Sequence, residues 1–244
     1  MDLKNYICTN PFIYTEITVD KQHMCCNEWM GLDIKTKGSL TDNWNSSKAK
    51  SARQSMLDGT FKYCSTDKCP HLNDVVHNNT PSGPVKIKTD ELVKELKSYK
   101  LPNSMKVVFD SACNLACPSC RVDFIRNENY ITNKSRNILT DIEKSYGESL
   151  EFISMSGYGD PFYSEALFEW LCNFSTEKYP NMTNIHMHTN AMLWNERNWE
   201  KIKPAQPFIK SAEISIDASN PETYHKVRKG GKWDLLLKNL KFIN

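Results

Sequence analysis

From residue 105 onward the chain alternates short apolar runs with stretches of helical spacing, and that alternation constrains the fold more than any other feature. MKVVFD (105–110) is a short apolar run, SRNILTDIEKSYG (135–147) reads as a helix, and LEFISMS (150–156) reads as a strand ended by Gly157. SEALFEWLCNFS (164–175), NERNWEKI (195–202) and a last segment from about Lys232 are helical, whereas NIHMHT (184–189) and SAEISID (211–217) are strands. Strands separated by helices argue for a parallel sheet with helical crossovers. Ligands of such sheets sit beyond the carboxyl ends of the strands. A cysteine triplet, the stretch SGYGDP, Thr189-Asn190 and Asp217 all fall just past those ends.

The triplet lies in DSACNLACPSCR (110–121), as Cys113, Cys117 and Cys120. Three thiolates are one short of the four that close a 4Fe–4S cluster. Such a set leaves one iron open, and an open position separates catalytic metal sites from closed structural ones. A zinc site that borrows a fourth ligand uses the same residues, as do plain buried thiols.

Composition narrows the classes further. The net charge is +2, from 31 basic and 29 acidic side chains, so no charge excess points to nucleic acid or to an anionic membrane. No apolar run approaches the roughly 20 residues of a membrane span. The N-terminal MDLKNYICTNPF has no apolar stretch of secretory length, which places the chain in the cytosol. In that reducing compartment nine cysteines point to metal binding or catalysis rather than to disulfides.

Five of those cysteines lie near the N-terminus: Cys8, Cys25, Cys26, Cys64 and Cys69. FIYTEITVD (12–20) alternates as a strand does, and WNSSKAKSARQSMLDG (44–59) reads as a helix closed by Gly59. The segment 77–104 opens with turn formers and then carries an amphipathic helix from Thr89, a plausible N-cap, to Tyr99. The expected organisation is a small Cys-rich domain over 1–80, a linker with a helix over 81–104, and an α/β domain over 105–244. Cys172, in an apolar helix, reads as core.

Residues 105–244 resemble the radical S-adenosylmethionine (SAM) enzymes. C-x3-C-x2-C follows the first strand, Tyr158-Gly159-Asp160-Pro161 matches the family's Gly-Gly-Glu-Pro element, HTN (188–190) resembles the end of the third strand, and SIDAS with YHKVRKGGKWDLLLKNL resembles the fourth strand and its helix. The resemblance implies a partial (β/α) TIM-like barrel with about four of the usual six strand–helix units. It implies a 4Fe–4S cluster on Cys113, Cys117 and Cys120, whose open iron binds the amino and carboxylate groups of SAM. Reductive cleavage of SAM then gives a 5′-deoxyadenosyl radical that takes hydrogen from a substrate.

In the same resemblance Gly159 lets the backbone approach the SAM amino group, and Asp160, shorter than the usual Glu, pairs with that ammonium. Ser215 and Asp217 face the ribose, Arg228 grips the carboxylate, and Asn190 and Pro161 complete the site. Each has a plainer reading: Gly157, Gly159 and Asn190 as turn residues, Asp160 as a helix cap, and Ser215, Asp217 and Arg228 as solvated surface. Ser119 stands where the family often has an aromatic residue, leaving Tyr158 or Phe124 to pack the adenine.

Residues 5–72 resemble the SPASM-type auxiliary module, in which four thiolates hold a second 4Fe–4S cluster. The favoured set is Cys8, Cys26, Cys64 and Cys69, with Cys25 competing for the second place. Four cysteines suit a structural zinc equally well. By analogy with SPASM relatives the substrate is a peptide or protein side chain, and the electron donor is a flavodoxin or ferredoxin. A non-catalytic iron–sulfur electron carrier and a zinc-stabilised interaction protein are the competing readings. Trp233, Leu236, Leu237, Leu240 and Ile243 form a helical stripe that needs a cover. Four parallel strands leave a bare edge, so self-association is expected unless further chain completes the barrel.

Overall fold

The computed structural model describes residues 3–26, 28–32, 34–35, 38–155 and 158–244. The chain divides into two units, Met1–Met105 with Lys144–Leu150, and Lys106–Glu143 with Glu151–Asn244.

The first unit runs β1 (Tyr6–Cys8), α1 (Asn10–Ile13), β2 (Tyr14–Ile17), β3 (Lys21–His23), β4 (Ile34–Lys35), α2 (Leu40–Trp44), α3 (Ser47–Leu57), α4 (Pro70–Asn78), β5 (Val85–Ile87) and α5 (Asp90–Ser98). β2, β3 and β4 pair antiparallel in sequence order, and β5 returns to pair antiparallel with β1. Residues 81–104, expected as a linker, thus supply β5 and α5. The expected strand at 12–20 opens instead with a turn of helix, because Pro11 fits a first helical turn where its missing N–H costs nothing.

The expected helix at 44–59 is broken at Asn45. Ser46 is extended and caps α3 by accepting from Ala49 N at 3.3 Å. Arg53 then staples the break: its guanidinium lies 4.4 Å over the Trp44 ring and donates to the carbonyls of Pro11 and Trp44, each at 2.9 Å. Gly59 has φ +74, as a helix end requires, and a Cβ there would lie 2.6 Å from Lys4 Cα. Thr89 caps α5 as expected, accepting from Leu92 N at 3.2 Å.

The second unit runs β6 (Ser104–Val107), α6 (Asn129–Tyr146), β7 (Phe152–Met155), α7 (Glu165–Cys172), β8 (Asn184–Thr189), α8 (Glu196–Lys201), β9 (Ile209–Ile214), α9 (Pro221–Val227) and α10 (Trp233–Ile243). The strands lie in the order β6-β7-β8-β9, and β7–β8 and β8–β9 are parallel. This is the mixed α/β arrangement with a parallel sheet that the alternation dictates. No barrel closes among the described residues.

Alternation along the strands buries Ile153, Met155, Ile185, Met187 and Thr189 on one face. β9 ends the order, with Lys210–Glu213 exposed. α10 corrects the expected stripe: Leu236 and Asn239 are buried, while Leu237 is 40% exposed. Asn239 fits because its Nδ2 donates to the carbonyls of Ala191 (2.7 Å) and Met192 (3.1 Å), just past β8. Ser156 and Gly157, where the second strand was expected to end, lie outside the described residues. Among the described residues no helix is long and apolar enough to cross a membrane.

Candidate functional site

The loop after β6 is shaped by contacts that reach far along the chain. Asp110 turns it, its Oδ1 accepting from Ala112 N (2.9 Å) and Asn127 Nδ2 (2.8 Å). Cys113 N donates to the Ile125 carbonyl and Ala116 N to the Lys229 carbonyl, both at 2.9 Å. Cys120 N and Arg121 N both donate to the Cys117 carbonyl at 2.9 Å, which curls the last two cysteines toward each other. Cys113 and Cys117 are buried and Cys120 is exposed. Burial pushes the Cys113 thiol up, and the Leu115 N–H only partly offsets it.

Gly159 and Asp160 dock onto this loop. Asp160 N donates to the Ala112 carbonyl at 2.8 Å. A Cβ on Gly159 would lie 2.6 Å from the Asp110 carbonyl oxygen and 2.7 Å from that of Ala112, so only glycine permits the approach. The Asp160 carboxylate is buried with both oxygens engaged. Oδ1 accepts from Phe162 N (3.0 Å), and Oδ2 accepts from Thr189 Oγ1 (2.7 Å) and Asn190 N (2.9 Å). Burial raises its pKa against those donors. Asp160 therefore clasps the ends of β7 and β8 together, where the sequence resemblance gave it the SAM ammonium.

Past β9, Asp217 takes a left-handed conformation (φ +58), and its Oδ2 meets Arg228 Nη2 at 2.5 Å. Asp217 is thus the counter-ion of Arg228, where the sequence resemblance turned it toward a ribose. Arg228 Nη1 donates to Cys117 Sγ at 3.6 Å, and its buried Nε has no hydrogen-bond partner among the described residues. Ser215 Oγ shares a hydrogen bond of 3.2 Å with His188 Nε2.

These groups surround a cavity of about 220 Å³. Cys113, Cys117, Cys120, Tyr158, Gly159, Asp160, Asn190, Ser215 and Arg228, all singled out in the sequence, line it. Pro161 and Asp217 stand outside the lining. Leu115, Arg121, His188 and Thr189 join it without having been assigned a role from sequence. Of these, Arg121 had a usable signal, since it directly follows the last cysteine. Tyr158 is 61% exposed at the rim. Phe124 lies against Gly230, where a Cβ would come within 2.6 Å of its ring.

The radical SAM superfamily profile matches residues 107–244, more than half the chain. The chain belongs to the radical SAM enzyme superfamily. Among curated proteins it is 27% identical over 140 residues to the "Probable GTP 3',8-cyclase" of Methanocaldococcus jannaschii, covering 57% of this chain and 44% of that protein. It is 31% identical over 155 residues to the protein of the same description from Methanococcus maripaludis strain C5, covering 62% and 46%. The "GTP 3',8-cyclase" of Alkaliphilus oremlandii is 27% identical over 150 residues, covering 61% and 45%. The chain spans less than half the length of these relatives.

Radical SAM proteins use a 4Fe–4S cluster and SAM, and the donor set in this cavity fits them. Three thiols from one loop share the cavity with Arg228, whose buried Nε lacks a partner.

The first unit gathers a second set of thiols. Cys8 ends β1, Cys25 follows β3, Cys64 bridges to Met30, and Cys69 caps α4. The Cys8 thiol is pushed well up by burial, then by Cys25, with Cys64 and Cys69 adding to it. Cys64 rises to about 12 through burial and through Cys25 and Cys69. Cys25 rises to about 11 by burial, although Asn10 Nδ2 donates to its sulfur at 3.5 Å. Cys25, Cys64 and Cys69 thus act on Cys8, and Cys25 and Cys69 on Cys64, while Cys69 and Cys26 act on Cys25 and Cys26 also on Tyr14. Among the described residues no three His, Cys, Asp or Glu side chains form a group that would hold a single metal ion.

Proposed function

We propose that the second unit is the cluster- and SAM-binding part of a radical SAM enzyme that takes a hydrogen atom from its substrate. The observation that carries this reading is the convergence of Cys113, Cys117 and Cys120 with Gly159, Asn190, Ser215 and Arg228 on one cavity beyond the strand ends. A cluster bound there would supply the electron that cleaves SAM to a 5′-deoxyadenosyl radical. The chain's own residues bind and orient. Cys113, Cys117 and Cys120 provide three thiolates, and the absence of a fourth from their loop leaves room for a small-molecule ligand.

Arg228, held by Asp217, offers Nε to a carboxylate. The docked Gly159 loop presents backbone close to the cysteines, and Ser215 with His188 supplies hydroxyl and imidazole groups for a ribose. Tyr158 at the rim is the aromatic surface closest to hand for an adenine, since Ser119 cannot serve. In this reading the site lies beyond the ends of β6 to β9, of which β7, β8 and β9 are parallel.

The first unit, in this reading, holds a second 4Fe–4S cluster on Cys8, Cys25, Cys64 and Cys69. Cys8, Cys25 and Cys69 are buried and Cys64 is half-buried, and Cys25, Cys64 and Cys69 each raise the Cys8 thiol, which supports it. The expectation of a peptide or protein substrate finds no support in the relatives, whose names refer to GTP. GTP is accordingly the first substrate to test, with a flavodoxin or ferredoxin as the electron source.

The test is anaerobic reconstitution with iron and sulfide, followed by SAM and a reductant, with 5′-deoxyadenosine measured by chromatography. Turnover that disappears in a Cys113→Ala, Cys117→Ala, Cys120→Ala variant supports the proposal. A fully iron-loaded wild type that leaves SAM intact would reduce the chain to an electron carrier. Stoichiometric zinc in place of iron would make it a zinc-stabilised protein.

A further inference from the structure

Three side-chain nitrogens reach the three thiols of the triplet, one to each sulfur. Asn190 Nδ2 lies 3.7 Å from Cys113 Sγ, Arg228 Nη1 lies 3.6 Å from Cys117 Sγ, and Arg121 Nη2 lies 3.4 Å from Cys120 Sγ. The donors come from different parts of the chain: the end of β8, the end of α9, and the cysteine loop itself.

Each donor is held by further contacts, so its aim does not depend on a flexible stem. Asn190 N donates to Asp160, its Nδ2 to Asn114 Oδ1 at 2.9 Å, and its Oδ1 accepts from Met192 N at 2.9 Å. Arg228 is fixed by Asp217, and its side chain is only 14% exposed. Arg121 Nη1 donates to the Ser111 carbonyl at 2.7 Å.

Hydrogen bonds to cluster sulfurs, together with net charge and solvent exposure, set a cluster's reduction potential. A donor stabilises sulfur more when the cluster gains an electron, because the sulfur then carries more negative charge. Charged donors are roughly twice as strong as neutral ones, and burial strengthens both. We infer that Asn190, Arg228 and Arg121 are positioning donors that raise the reduction potential of a cluster on Cys113, Cys117 and Cys120, one side-chain donor per sulfur, beside the Leu115 N–H that also reaches Cys113 Sγ. Arg228 contributes most, being both charged and buried. Arg121 contributes least, because its sulfur is the exposed one. The inference rests on the cluster reading above, but it makes a separate claim about side chains that bind no iron.

The experiment is an EPR-monitored redox titration of the anaerobically reconstituted full chain, following the signal that changes when SAM is added. The variants are Arg228→Lys, which keeps a charge without the fork, Asn190→Asp, which turns the donor into an acceptor, and Arg121→Gln. At the wild-type midpoint, Arg228→Lys should lower the ratio of reduced to oxidised cluster about tenfold, equivalent to about 59 mV for one electron. Asn190→Asp should shift it in the same direction, and Arg121→Gln by less, with iron content unchanged in all three.

Variants that load fully and titrate with the wild type would overturn the inference while leaving the cluster reading intact. Absence of any SAM-responsive iron–sulfur signal in the wild type would overturn both. A second measurement needs no variant. Wild type labelled with 15N-arginine should show 15N hyperfine coupling to the reduced cluster, and no coupling would likewise refute the donor set.

Discussion

Replacing Gly159 with alanine tests the docking of the two loops that build the cavity. The added methyl would sit 2.6 Å from the Asp110 carbonyl oxygen and 2.7 Å from that of Ala112. Both obstacles are backbone, and each is anchored, one beside the Asp110 turn and the other by the hydrogen bond from Asp160 N. Neither can swing aside as a side-chain tip would. Overpacking of this kind costs about 1–3 kcal/mol. Pushing the loops apart also breaks the 2.8 Å bond from Asp160 N to Ala112 O, worth about 0.5–1.5 kcal/mol net.

The sum is a loss of about 1.5–4.5 kcal/mol. Urea unfolding of the apoprotein followed by tryptophan fluorescence measures it as a lower midpoint at unchanged slope. Gly31→Ala is the internal control, since the nearest atom to its added Cβ is 4.0 Å away, and it should stay within about 0.5 kcal/mol of wild type. If Gly159→Ala unfolds at the same urea concentration as wild type and Gly31→Ala, the close approach of the loops is not a feature of the folded protein.

Other outcomes follow from single contacts. Cys25→Ala should remove about half of the reconstituted iron, measured colorimetrically, whereas Cys26→Ala should leave it in place; the reverse result would return Cys26 to the ligand set. Ser46→Ala removes the cap of α3 and should cost about 1 kcal/mol in thermal or urea unfolding, so an unchanged midpoint would contradict the cap. Arg136 binds Glu169 through two contacts of 2.7 Å and holds its carboxyl below the usual range. A depressed carboxylate stabilises above its unfolded pKa, and that stabilisation is lost as pH falls through the folded value. Arg136→Gln should therefore raise the Glu169 titration seen by carbon NMR, with under about 1 kcal/mol of stability change for so exposed a pair.

The second unit was legible because its signals are local and repeated. NIHMHT coincides with β8, and LEFISMS contains β7, since alternation against a core leaves little freedom of register. The triplet and SGYGDP reported their own neighbourhood because strand ends on one edge of a parallel sheet converge. Roles within the site were less legible. Nothing local says that Asp160 will turn inward to Thr189 and Asn190, or that Asp217 will bend left-handed to meet Arg228; both depend on residues some 10 to 30 positions away.

In the first unit the obstacle was different. Cys25 and Cys26 are adjacent, and only the turn after β3 decides which thiol faces Cys8, Cys64 and Cys69. α4 did carry a readable start, Cys69-Pro70 with proline in the first turn, but the run of turn formers that follows it at 77–84 drew the boundary too early. α6 begins at Asn129, six positions before the periodic stretch, because its first turns carry an exposed Tyr130 and bury Thr132, which leaves no apolar periodicity to read.

The cysteine loop is fastened at Ala112 by Asp160, at Cys113 by Ile125 and at Ala116 by Lys229. Two of those three fastenings come from residues more than 40 positions downstream. Contacts of such separation form late, since the intervening chain must first be ordered. When the nascent chain has reached only α7, the loop has the residues for its Ile125 and Asp160 fastenings but still lacks the one from Lys229. A cluster assembled on these thiols would meet their final arrangement only once the Lys229 segment has docked.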